Sequence, residues 1–218
     1  GLGRAMADVP AARAAAALMF VGLLAKTALF PLHAWLPPAH AGAPAPVSAV
    51  LSALVIKGSF YLFLRLWFQV FPVLTPAVLA QAVGLFGSAA ILWGSALALR
   101  QSRLKMVVAY STVAQVGYLF LLFPLATGAA ASVAPVAIVL HAVSHACAKA
   151  AMFMAAGALM LAYGTDDIPA LRGAAVQASA PALAFAVGAM VLIGLPPGGN
   201  SGRMRRTRCS RHHNTRSW

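Results

Sequence analysis

Pro31-Leu32-His33-Ala34-Trp35-Leu36-Pro37-Pro38-Ala39-His40, followed by Pro44 and Pro46, decides how this chain must fold. It lies between two long apolar stretches, about 11–30 and 46–70. No helix runs straight through that density of proline, because the ring removes an N–H donor and clashes with the preceding turn. A second break, Pro196-Pro197-Gly198-Gly199, closes the last apolar stretch. Broken backbone at membrane depth survives only where protein buries it or a water-filled cavity lies beside it. Paired interrupted helices point to a transport site. The plainer reading of both breaks is a loop at a helix end.

Working outward, six apolar stretches follow one another, at about 11–30, 46–70, 76–98, 104–124, 135–162 and 176–195. Each is near the ~20 residues that cross a ~30 Å hydrocarbon core. The 218 residues are 61% hydrophobic and 9% charged, with a mean hydropathy of +0.84. That excludes a soluble globular domain, a disordered chain and a disulfide scaffold. The expected fold class is all-α: a polytopic transmembrane helix bundle with discontinuous helices. The acidic residues are Asp8, Asp166 and Asp167, with no Glu, so a paired-carboxylate mechanism inside the membrane is not available from this chain alone. Cys147 and Cys209 make neither a disulfide framework nor a metal cluster. There is no glycine-rich phosphate loop, no dinucleotide fingerprint and no cleavable signal pattern. The chain begins Gly1-Leu2-Gly3 and reads as an internal fragment.

The net charge of +13 is misleading. Arg203, Arg205, Arg206, Arg208, Arg211 and Arg216 crowd the end of the chain. Residues 1–200 read as one membrane domain, and 201–218 as an arginine-rich tail of non-native origin, from a frameshift or truncation. The other reading of the tail is a nucleic-acid or anionic-lipid contact. Arg100, Arg103 and Lys105 share one side of the membrane with Arg172, Asp166 and Asp167 by helix parity. The positive-inside trend puts that side in the cytoplasm, although Arg4, Arg13 and Arg65 fall on the other. Tyr110, Ser111, Thr112, Gln115 and Tyr118 read as helix-packing hydrogen-bond groups.

A charge at the bilayer centre costs at least ~2.5–3.5 kcal/mol, so ionisable groups inside spans are functional candidates. Lys57 sits in the middle of the 46–70 stretch, too deep to snorkel comfortably to water. Lys26, five residues before Pro31, can snorkel if its helix crosses simply, and is buried beside the break if it does not. His141, His145 and Lys149 fall four apart on one helical face, covering roughly 12 Å along the axis. Imidazole both donates and accepts a proton near physiological pH, so such a line can carry protons through a dry interior. His-x-x-x-His is also a zinc spacing, but no Glu is present to complete a site. Desolvation and a movable carboxylate can switch a buried lysine between holding and releasing a proton. The carboxylate would have to come from outside this chain.

Lys26-Thr27-Ala28-Leu29-Phe30-Pro31-Leu32-His33-Ala34-Trp35-Leu36-Pro37, Ala43-Pro44-Ala45-Pro46-Val47-Ser48 and Lys57 resemble the antiporter-like membrane subunits of respiratory complex I, Mrp cation/proton antiporters and membrane-bound hydrogenases. Leu104 to Tyr118, His141 to Ala150 and Gly194-Leu195-Pro196-Pro197 fit the same family in the same order. The resemblance implies a fourteen-helix bundle of two inverted five-helix repeats, each with one broken helix, of which this chain would hold about six helices. It implies proton translocation through Lys26, Lys57, His141, His145 and Lys149, with Pro31, His33, Pro37, Pro196 and Pro197 as broken-helix elements. It implies no cofactor and no metal in this subunit, any redox chemistry belonging to partner subunits. The implied partners are other membrane subunits, the lipid bilayer, protons and Na+, with no nucleic acid, in a bacterial-type plasma membrane. Pro38 departs from the family, which usually has Asp there. A non-transporting structural subunit or truncated remnant is the alternative, and a membrane zinc enzyme a third reading.

Overall fold

A computed structural model describes residues 10–71, 77–126 and 132–194. Pro196, Pro197 and the 201–218 tail lie outside them. Seven principal helices organise the described residues: α1 (Pro10–Lys26), α2 (Leu36–Gly42), α3 (Ala45–Val70), α4 (Ala77–Leu99), α5 (Leu104–Leu125), α6 (Ala134–Tyr163) and α7 (Ser179–Ile193). Four of them, α3 to α6, are long and apolar enough to cross a membrane. The described residues are all-α, and the chain is a membrane protein, as the length of its apolar stretches leads one to expect.

The proline-rich stretch breaks the helix as expected. α1 ends at Lys26, and Ala28 adopts the left-handed region at φ 59°. That conformation brings the Ala Cβ against its own carbonyl at a cost of roughly 1–2 kcal/mol, and surrounding packing must hold it. Ala28 and Leu29 are buried. The chain restarts as α2 with Pro37 and Pro38 in its first turn, where a missing N–H does no harm. Trp35 spans the break: its indole N–H donates to the Ala25 carbonyl at 2.8 Å, which also receives the Ala28 N–H at 3.1 Å. The expected first span is thus 17 residues of helix followed by an irregular turn. The last span is also shorter than the apolar stretch that predicted it. A short turn, Ala174–Gln177, bends at Ala178 before α7, whose 15 residues end at Gly194 with φ 86°.

α3 is helical throughout but carries π-helical turns at Leu51–Val55 and Leu66–Val70. α4 and α5 pack backbone to backbone. A Cβ on Gly87 would lie 2.7 Å from the Gly117 carbonyl, and one on Gly94 2.7 Å from the Ala114 nitrogen. Small residues permit this approach, which van der Waals packing drives where lipid is the solvent. Beyond the ends of these helices, Arg103 Nε donates to both Asp166 carboxylate oxygens at 2.9 and 3.1 Å. The Leu104 and Ile168 amides pair with the Asp166 and Ser102 carbonyls. The two charged connections, expected on one side, are thereby stapled together.

Candidate functional site

Polar groups gather where α3, α5 and α6 meet. Lys149 of α6 is completely buried. Its Nζ donates to the Val108 carbonyl at 2.8 Å and to Ser111 Oγ at 2.5 Å, both on α5. Lys57 of α3 turns its ammonium inward and donates to the Ser52 carbonyl at 3.0 Å. Ser52 belongs to the first π-helical turn, which loosens the backbone ladder just before the lysine. On its other side Ser52 Oγ lies 3.4 Å from Thr112 Oγ1, which also donates to the Val108 carbonyl at 2.9 Å. Lys57 lines an apolar cavity of about 310 Å³ with Phe60, Tyr61, Ile138 and Cys147.

His145 lies one turn before Lys149, 1% exposed, with neither ring nitrogen hydrogen-bonded within the described structure. His141 stacks on it, with ring centroids 6.1 Å apart and planes 10° from parallel. His141 Nε2 is 3.4 Å from the Gln115 carbonyl, and Gln115 Nε2 reaches the Leu192 carbonyl on α7 at 3.2 Å. Lys57 is linked to Lys149 through the Ser52 residue, the Thr112 hydroxyl and the shared Val108 carbonyl. Four of the five residues singled out for proton transfer thus lie around one helix interface, with Lys57 on α3 and the other three on α6. Buried imidazole nitrogens of this kind need water or an exchanging neighbour to be stable. No group of three or more metal-binding side chains comes together among the described residues.

Lys26, the fifth, is exposed at the last residue of α1. It is not gathered into this group. Pro31 lies in the break, His33 is buried there and stacks on Phe30, and Pro37 is buried in the first turn of α2.

Two further residues join the polar line without having been singled out as site residues. His40 of α2 is fully buried, stacks on Phe153 at 4.5 Å, and has neither ring nitrogen hydrogen-bonded. It feels the charges of Lys149, Lys105 and Lys57. Lys105 is buried in the first turn of α5 and donates to the Ala43 carbonyl, tying the α2–α3 corner to α5. A signal existed for Lys105: a cation in a helix's first turn opposes the helix dipole, so it needs another reason to be there. None existed for His40, whose burial depends on how the broken helix folds back.

Residues 2–201 match the family described as NADH:quinone oxidoreductase/Mrp antiporter, TM. The chain is 38% identical over 191 residues to the NADH-quinone oxidoreductase subunit N of Desulforudis audaxviator, covering 87% of this chain and 37% of that protein. It is 36% identical over 181 residues to the F(420)H(2) dehydrogenase subunit M of Methanosarcina mazei, covering 83% of this chain and 35% of the relative. Among solved structures it superposes on a chain of the Mrp complex from Dietzia sp. with a TM-score of 0.79 at 29% identity, covering 88% of this chain and 35% of that one. A chain of an archaeal membrane-bound sulfane sulfur reductase matches with a TM-score of 0.76 at 28% identity, covering 90% and 40%. The chain thus spans well under half the length of these proteins.

Proposed function

Since the chain belongs to the NADH:quinone oxidoreductase/Mrp antiporter family of proton-conducting membrane proteins, we propose that it moves protons through the buried lysine–histidine group as part of a larger antiporter-like protein. The observation that carries this reading is Lys149, a lysine with no exposure inside a membrane helix, hydrogen-bonded only to uncharged groups. Holding a full charge there is costly, and a nearby neutral state is within reach. That makes the group suited to taking up and releasing a proton.

In this proposal Lys57 exchanges protons with His145 and Lys149, and His141 passes them toward Gln115 and α7. Lys26 holds a proton against a carboxylate supplied by the rest of the protein. The redox or cation-gradient drive belongs to partner membrane subunits, and Na+ is the proposed counter-ion of an antiporter parent. The proposed home is a bacterial-type plasma membrane, with the Arg103–Asp166 face in the cytoplasm. The 1–200 region is proposed as the conducting domain and 201–218 as a non-native tail.

Pro38 favours a second reading, a structural subunit that has lost transport. One experiment separates the two. Lys57→Met in the complete parent protein, assembled with its partners in membrane vesicles, is expected to abolish proton movement while the protein still inserts and assembles. Wild-type proton movement in that variant would favour the structural reading.

A further inference from the structure

We propose that the Thr112 hydroxyl is a positioning group that couples the charge state of Lys149 on α6 to the seat of Lys57 on α3, through Ser52. The inference rests on the proton-transfer reading above and adds a residue pair to it. It starts from one crowded acceptor. The Val108 carbonyl receives Lys149 Nζ at 2.8 Å, Thr112 Oγ1 at 2.9 Å and Ser111 Oγ at 3.0 Å. A carbonyl has two lone pairs, so three side-chain donors cannot all be well served at once.

Thr112 has a choice of acceptors on two different helices. Its single hydroxyl hydrogen can point to Val108 or to Ser52 Oγ, 3.4 Å away, and not to both. Both hydroxyl groups are completely buried, so water does not compete from bulk. When Lys149 is charged it is the strongest donor at the Val108 carbonyl, since charge-assisted bonds outcompete neutral ones. Thr112 then turns to Ser52. When Lys149 has given up its proton, Thr112 returns to Val108, and the Ser52 hydroxyl changes from acceptor to donor toward Thr112 Oγ1. Ser52 is the residue whose carbonyl holds the Lys57 ammonium, and it sits in the π-helical turn, the part of α3 where the backbone ladder is least regular. A change in the Ser52 hydroxyl bond is therefore placed where it can alter the grip on Lys57. The charges of Lys57 and Lys149 reach His145 and His40, that of Lys57 reaches His141 as well, and Lys105 of α5 also faces His40.

The test uses the complete parent protein in its assembly, measured in vesicles for proton transport across a range of pH. Thr112→Val keeps the shape and removes the hydroxyl. It is expected to slow transport about tenfold, the factor that accompanies loss of one buried hydrogen bond, and to shift the pH at half-maximal rate. Thr112→Ser restores the hydroxyl and is expected to recover both rate and pH midpoint. Ser52→Ala is expected to reproduce the Thr112→Val shift, with no further loss in the double variant. Wild-type rate and midpoint in Thr112→Val, with Lys57→Met inactive alongside, would overturn the coupling and leave the lysine reading standing. Transport in Lys57→Met would instead remove the reading on which the coupling rests. A Thr112→Val loss that Thr112→Ser does not rescue would also overturn it, marking a packing defect.

Discussion

The two ends of α3 and α5 are built from opposite materials. Toward the Arg103–Asp166 face lie Lys105, Ser111, Thr112, Ser48 and Ser52, with His40 and Lys149 packed between them. Toward the other face the same helices present Phe60, Phe63, Trp67, Phe68, Phe120 and Phe123, joined by Phe20 of α1. Phe63 alone meets four other rings at 5.2 to 5.5 Å. Lys57 stands at the border, one turn from Phe60. Among the described residues, the hydroxyl contact between α3 and α5 lies on the Arg103 side of Lys57, and beyond it the two helices meet through rings. In the proposed reading the proton therefore leaves sideways, through His145, His141 and Gln115 toward α7.

The comparison breaks most visibly if the two halves are interchangeable in what they contribute. Phe63→Ala should cost roughly 3–5 kcal/mol of stability, the usual penalty for emptying a large buried ring site, read as a fall in the unfolding temperature of the purified assembly. Transport per correctly assembled protein should survive. A Phe63→Ala protein of full stability that fails to transport would place the aromatic half in the proton path. At the small end, Asp166→Asn removes the Arg103 ion pair, in which the arginine is 51% exposed. Exposed pairs contribute ~0–1 kcal/mol, so thermal stability should move little and less still in high salt. A large loss would mean that the staple, not helix packing, holds α5 and α6 in register.

Much of this was legible from the residues. The helix break, the four long spans and the shared face of His141, His145 and Lys149 follow from proline chemistry, apolar length and a spacing of four. Three features were not legible, each for a physical reason. The π-helical turn at Ser52 is a local repacking of α3 against its neighbours and leaves no periodic trace. His40 lies in a proline-rich turn, and only the fold-back of α2 buries it against Phe153. Whether Lys26 snorkels or lies beside the break depends on how the chain turns after α1: Trp35 folds back onto Ala25, and Thr27 and Ala28 are buried, while Lys26 itself stays exposed. Thr112 reads as a packing group and does pack, but its hydroxyl shares an acceptor with Lys149.

The most direct test of the central claim is the proton-transport rate of the complete parent assembly carrying Lys149→Met, measured in sealed vesicles beside the unfolding temperature of the same preparation. Met fills a similar volume and removes the cost of holding an unpaired ammonium in an apolar interior. The account predicts an unfolding temperature unchanged or raised and proton transport lost. Transport at the wild-type rate in that well-folded variant would contradict it.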